Sequence, residues 1–206
     1  MNICLLGATG RVGGIVLENC LEAGYHVQAL VRNPEKLAIS HPSLRILNGD
    51  ARNKSDVSFA VEGCDAVISS LNTGGATILS DSMPLIIDAM KHHKVRRIIM
   101  VSTAGILQAR SEPQLYRFQS SESRRSTTKD AEEHLKAFLI MKESGLDWTA
   151  VCPTYLPVGE RKGTYRVGRN MLPVNPSSIS IYDTGDFTFQ QLQSLEYLHC
   201  RTGLTY

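Results

Sequence analysis

One stretch near the start of the chain limits what it can fold into more than any other: Asn2-Ile3-Cys4-Leu5-Leu6-Gly7-Ala8-Thr9-Gly10-Arg11-Val12-Gly13-Gly14. A short apolar run empties into glycines at positions 7, 10 and 13, and apolar residues then recur at helical spacing through Val12, Ile15, Val16, Leu17 and Leu21. The order is strand, tight turn, helix. In that order the glycines serve the turn out of the strand, a close backbone approach to a phosphate, and close contact of helix with sheet. The helix directs its unpaired N–H groups and positive dipole end at whatever lies over the turn, and a pyrophosphate suits that place. Three glycines alone are also compatible with a purely structural turn, but the strand before and the helix after favour a dinucleotide.

The length, 206 residues, fits one domain. Lys plus Arg (22) nearly balance Asp plus Glu (20), and a net charge of +2 gives no footprint for nucleic acid or an acidic membrane surface. Five cysteines, Cys4, Cys20, Cys64, Cys152 and Cys200, form no C-x-x-C pair, which fits buried reduced thiols. The chain opens directly on a strand, and no apolar run approaches 18 residues, so a cytoplasmic protein without membrane or nucleic-acid partners is expected.

The remaining pattern alternates strand and helix: strands at His26–Val31, Leu44–Leu47, Ala66–Leu71, Arg97–Val101 and Leu146–Cys152, a short helix at Pro34–Ala38, one near Ser55, and longer ones at Ser80–His93 and Thr128–Ser144. That predicts an α/β, Rossmann-type doubly wound parallel sheet with helices on both faces. In the later helices Met83, Ile86, Ile87 and Met90, then Leu135, Phe138, Leu139 and Met141 or Lys142, mark the inner sides, and Pro84 implies a kink or a late start. His92 and His93 suit the dipole at a helix end better than a metal, for which partners at ligand spacing are missing. Residues 105–130 turn polar and lose periodicity, as a lid or mobile loop would. Beyond them the sequence predicts short strands at Gly163–Val167 and Ser178–Ile181 and a closing helix from Asp183 to about Leu195.

Arg32 stands at the tip of the second strand, and no acid occurs between Glu22 and Glu35, so the adenosine end is expected to favour NADP over NAD. Arg11 is a second candidate cation; either arginine could equally be a solvated surface charge. Asp50, after the third strand, suits the adenine side, a helix cap or its own turn.

The residues Gly7, Gly10 and Gly13, Val31-Arg32-Asn33-Pro34, Gly49-Asp50, Ala89-Met90-Lys91, Glu143-Ser144-Gly145-Leu146, Gly163-Thr164-Tyr165 and Ile179-Ser180-Ile181-Tyr182-Asp183 together resemble a family. It is the atypical short-chain dehydrogenase/reductase-like, nitrogen-metabolite-repressor-like NAD(P)H-binding proteins, and more narrowly the biliverdin-IXβ reductase/flavin reductase branch. The resemblance implies NADP(H) held by Gly7, Thr9, Gly10, Arg11, Val12, Gly13, Arg32, Asp50, Ala51, Leu71, Asn72 and Thr73, with Pro153 and Thr154 beside the nicotinamide. It also implies Thr103, with Ser102 adjacent, near the reacting ring, and His134 where the narrower branch has a histidine. Thr103 also fits a strand-end hydroxyl bonded to local backbone, and His134 a partly buried structural residue.

The wider superfamily's Tyr-x-x-x-Lys pair is missing, because Arg125 stands four residues before Lys129. Carbonyl reduction needs an acid to protonate the developing alkoxide. A flavin, linear tetrapyrrole or quinone-like acceptor spreads its charge and draws a proton from solvent, with Tyr155 the phenol nearest the expected site. Two functions follow as expectations: an NADPH-dependent reductase of such a small-molecule acceptor, acting as a monomer or weak homodimer, or a non-catalytic NADP(H)-binding redox sensor or regulator.

Overall fold

The computed structural model describes residues 1–123 and 126–206. Its strands are β1 (Asn2–Leu6), β2 (His26–Val31), β3 (Leu44–Asn48), β4 (Ala66–Ser69), β5 (Arg97–Val101), β6 (Asp147–Pro153), β7 (Arg166–Arg169) and β8 (Cys200–Thr205). They form one sheet in the order β3-β2-β1-β4-β5-β6-β8-β7. Every adjacent pair is parallel except β7 with β8. The helices are α1 (Arg11–Glu22), α2 (Lys54–Val61), α3 (Ile78–His92), α4 (Lys129–Lys142) and α5 (Ile181–Gln190). This is the expected Rossmann-type α/β fold.

The sheet divides the core by the period of two that a strand imposes. Ile3, Leu5, Ala29, Ile68, Ile99 and Val151 face α1 and α5, where Val16, Leu17, Cys20 and Phe187 meet them. Cys4, Leu6, Leu30, Val67, Ile98, Met100 and Cys152 face α2, α3 and α4, where Val57, Met83, Ile86, Met90, Phe138 and Met141 close the opposite layer. All five cysteines are buried and unpaired with one another, and burial pushes the Cys4, Cys20 and Cys152 thiols well above their usual range. No described helix is long and apolar enough to cross a membrane.

Several boundaries differ from expectation, each for a local reason. β4 stops at Ser69, since from Ser70 onward the chain turns over the glycine turn, Ser70 Oγ donating to the carbonyls of Leu6 and Gly7. α3 begins at Ile78, so Pro84 lies inside it and marks no late start. In α4 the inner side is Ala131, Glu133, Ala137, Phe138 and Met141, whereas Leu139 is 40% exposed and Lys142 is exposed. Glu133 is inside because both its oxygens serve the first turn of α3, accepting Ser80 N–H at 2.7 Å and Ser80 Oγ–H at 3.0 Å. The strand expected at Gly163–Val167 is β7, shifted to Arg166–Arg169, and the one at Ser178–Ile181 reduces to a single bridge from Ser178 to Tyr155. The closing helix is α5, which starts earlier and ends at Gln190, and β8 is a further strand beyond the predicted elements.

Candidate functional site

The order of strands reverses between β1 and β4, and in open parallel sheets ligands sit in the crevice outside the carboxyl ends of the strands at such a point. The glycine turn occupies it. Gly7 has φ +89°, and a Cβ there would lie 2.6 Å from the Ser70 carbonyl oxygen. At Gly13 a Cβ would stand 2.1 Å from the Gly7 carbonyl oxygen and 2.4 Å from Ser70 Oγ, so Gly13 sets how closely α1 packs on the strand end. Gly10 N–H donates to the Gly7 carbonyl at 2.9 Å. Gly10 is itself the N-cap of α1, and neither a capping side chain nor a first-turn acid occupies that helix end. Thr9, Gly10 and Arg11 are exposed over it, and Val12 is buried beneath. An uncapped helix start over a turn in which Gly7 and Gly13 leave no room for a Cβ is a mould for an anion.

At the β2 tip Arg32 is exposed and makes no hydrogen bond among the described residues. Asp50, one strand further out, belongs to its own turn. Its Oδ1 accepts Arg52 N–H at 2.9 Å, and the Arg52 guanidinium grips both oxygens. Those bonds, aided by the nearby Arg32 charge, hold the Asp50 carboxyl down at about 2. The cap of α2 is Asn53 instead, accepting from Ser55 N–H and Asp56 N–H. Ala51 is buried behind the turn. Past β4, Leu71 is half-buried and Asn72 exposed, while buried Thr73 donates its hydroxyl to Asp130 at the start of α4, 2.6 Å.

A second group gathers at the ends of β5 and β6. Ser102 is 8% exposed and its Oγ lies 3.2 Å from His134 Nδ1. Thr103 Oγ1 accepts Gly105 N–H. Pro153 ends β6 buried; the Oγ1 of Thr154 next to it is buried and has no hydrogen-bond partner among the described residues. Tyr155 is 75% exposed. Arg125, where the superfamily's tyrosine would stand, lies outside the described residues.

Beside Thr154 opens a cleft of about 1120 Å³, walled by Ala104, Gly105, Arg110, Arg117 and Glu122 on one side and by Tyr155 and residues 171–177 on the other. It is of the size that takes an organic ligand. Its wall after β5 is held by Glu122, whose Oε1 accepts Arg110 N–H, Ser111 N–H and Ser111 Oγ–H. The segment after β6 is fixed differently, through Asp183 in the first turn of α5. Fully buried, it accepts Lys162 N–H, Gly163 N–H and the Tyr206 hydroxyl. Sequence reasoning gave neither Glu122 nor Asp183 such a role. The only signal was the Ile179–Asp183 motif, in which Ser180 caps α5 and Asp183 follows three residues later.

The glycine mould, the uncapped start of α1 and the orphaned Thr154 hydroxyl lie along one edge of the sheet and fit a dinucleotide. Comparison with known proteins agrees. YwnB of Bacillus subtilis, an uncharacterised protein, is 24% identical over 204 residues, covering 96% of this chain and 93% of its own. Among solved structures, a candidate epimerase from Bacteroides thetaiotaomicron is 30% identical with a TM-score of 0.87, covering all of this chain and 96% of the other. A candidate NADH-flavin reductase from Streptococcus pneumoniae has the same fold at 21% identity, with a TM-score of 0.84 and coverage of 100% and 99%. The family model described as NAD(P)H-binding matches residues 7–194, nearly the whole chain, and this chain belongs to that NAD(P)H-binding family.

Proposed function

We propose that the protein is an NADPH-dependent reductase that passes hydride to a flat conjugated acceptor such as a flavin, a linear tetrapyrrole or a quinone. The observation that carries this reading is the position of the cleft, which opens beside the unpartnered Thr154 hydroxyl at the ends of β5 and β6. An acceptor in the cleft would then adjoin the reactive end of a dinucleotide laid along the strand ends from the glycine turn.

In this reading Gly7, Thr9, Gly10, Arg11, Val12 and Gly13 hold the pyrophosphate. Arg32 takes the 2′-phosphate, Asp50, Ala51, Leu71, Asn72 and Thr73 border the adenosine half, and Pro153 and Thr154 meet the carboxamide end. When bound, NADPH supplies the hydride. Ser102, Thr103, His134 and Tyr155 line the reacting side, orient the acceptor and limit water around it. The sequence lacks the Tyr-x-x-x-Lys acid, and an acceptor that delocalises charge takes its proton from solvent without one. The candidate NADH-flavin reductase among the structural neighbours supports the same class.

Steady-state NADPH oxidation with free flavin, and separately with a quinone, tests the reading. Turnover with either supports it. Tight NADPH binding with no turnover on any acceptor replaces it with a sensor.

A further inference from the structure

The cleft has two chemically different walls. Tyr155 and Val174, 75% and 58% exposed, give one wall an apolar stretch with Met171 and Pro173, next to the polar Asn175 and Ser177. The opposite wall carries Arg110, Arg117 and Glu122. Glu122 is already engaged: Oε1 accepts three bonds from Arg110 N–H and Ser111, and Oε2 lies 3.5 Å from Arg117 Nε. Those bonds, working against burial, hold its carboxyl below the ordinary value, so it stays ionised and occupied. Arg110 stands differently. Its guanidinium donates one bond, from Nη2 to the Leu172 carbonyl at 2.8 Å, and makes no other among the described residues. That bond fixes the group where the two walls meet.

Among the described lining residues Arg117 is paired with Glu122, so the Arg110 guanidinium adds a positive charge to a concave space, where the field is concentrated. A planar fork anchored by one nitrogen is oriented in advance to receive a carboxylate or phosphate on its remaining N–H groups. The apolar wall beside it suits a flat ring system.

We propose that the acceptor carries an anionic group, carboxylate or phosphate, on its conjugated body, and that Arg110 receives that group. This rests on the reading of the cleft as the acceptor site. It makes neutral acceptors poor ligands compared with charged ones of the same ring.

Three probes share one isoalloxazine ring: riboflavin, its 5′-phosphate FMN, and its 5′-succinate hemi-ester. Each is titrated by quenching of flavin fluorescence, and each is assayed as acceptor for NADPH oxidation. At low salt one or both charged forms should bind at least tenfold more tightly than riboflavin. Preference for FMN alone identifies a phosphate, and preference for the hemi-ester alone a carboxylate. The preference should fall towards unity in Arg110→Gln and, for wild type, at high salt. Arg110→Lys, which keeps the charge without the fork, should retain part of it. The salt series and the lysine variant decide the matter if Arg110→Gln does not fold. Equal affinity for all three probes in wild type, or a preference that survives Arg110→Gln, overturns the proposal. If all three still turn over, the reductase reading stands without it, whereas neither binding nor turnover of any probe overturns both.

Discussion

Arg11 donates from Nη1 to the Leu156 carbonyl at 3.1 Å, joining the glycine turn to the segment that leaves β6. That bond ties the Arg11 guanidinium to the segment after β6, whereas Arg32 stands exposed at the β2 tip. The two arginines named as candidate phosphate partners therefore have separable tasks.

NADPH should bind at least tenfold more tightly than NADH, a difference of about 1.4 kcal/mol and a modest demand on one charge-assisted contact. Arg32→Ala should erase that preference. Arg11→Ala should weaken both cofactors alike and leave their ratio intact. Dissociation constants from nicotinamide fluorescence measure all four values, and equal constants in wild type would remove the assignment of Arg32.

The three glycines should not fail in the same way. Gly10 has an extended backbone, and the nearest atom to a Cβ there is 3.2 Å away, so Gly10→Val should fold, melt within a few degrees of wild type and lose cofactor binding. Gly13→Ala would force a methyl within 2.1 Å of a carbonyl oxygen. Overpacking of this kind costs about 1–3 kcal/mol or more, and a chain of this size should then melt roughly 2–12 °C lower. Circular dichroism melts with cofactor titration on the same samples separate the two outcomes.

Proton delivery from solvent implies small effects at every candidate donor. Ser102→Ala, Thr103→Ala and His134→Ala should each lower turnover with a flavin less than about tenfold, by misplacing rings, against the 10²–10⁴ typical of a general acid. Tyr155, three-quarters exposed, is expected to behave the same way. A thousandfold fall in turnover for Tyr155→Phe with NADPH affinity unchanged would instead assign the phenol as the acid.

Stability should fall at low pH through Asp183. Burial opposes its ionisation, but bonds from the Tyr206 hydroxyl and from Gly163 and Lys162 N–H prevail and hold the carboxyl below its ordinary value. A group whose folded pKa is depressed stabilises fully above its unfolded value, about 3.9, and that contribution disappears as pH falls through the folded one. Asp183→Asn should cost roughly 1.5–3 kcal/mol at neutral pH, the worth of charge-assisted bonds, and should lose less on acidification than wild type. Melting temperatures between pH 7 and 2 for both proteins test this, and parallel curves would contradict it.

The parallel half of the fold was legible because its strands are buried on both faces and read as unbroken apolar runs, Ile98-Ile99-Met100-Val101 among them. β8 was not, because Arg201 and Gly203 interrupt it. Arg201 is tolerated there by bonding the Ile106 carbonyl and lying over the Phe138 and Tyr116 rings. Gly203 is required because a Cβ would meet the Met171 carbonyl oxygen at 2.5 Å. Leu139 misled for the opposite reason: helical spacing marks a stripe but not which edge of it is covered, and the covered edge is that of Glu133, held by Ser80 on α3, while Leu139 stays exposed. The glycine turn was readable because strand, glycines and helix follow one another directly along the chain. The cleft was not, since its walls come from residues 104–122 and 171–177, which lack periodicity and meet only in the folded chain.

The placement of β1 between β2 and β4 also governs how the chain assembles. Its first neighbour follows directly, but its second must wait until Ala66–Ser69 exists and can align with Ile3–Leu6. Farther along, β6 waits in the same way for Cys200–Thr205. Closing such loops spends entropy before contacts repay it, which slows parallel sheets. Until Ala66–Ser69 has been made, the N–H and C=O groups along that edge of β1 have no strand to pair with, and such an unpaired edge is a template for pairing with another chain.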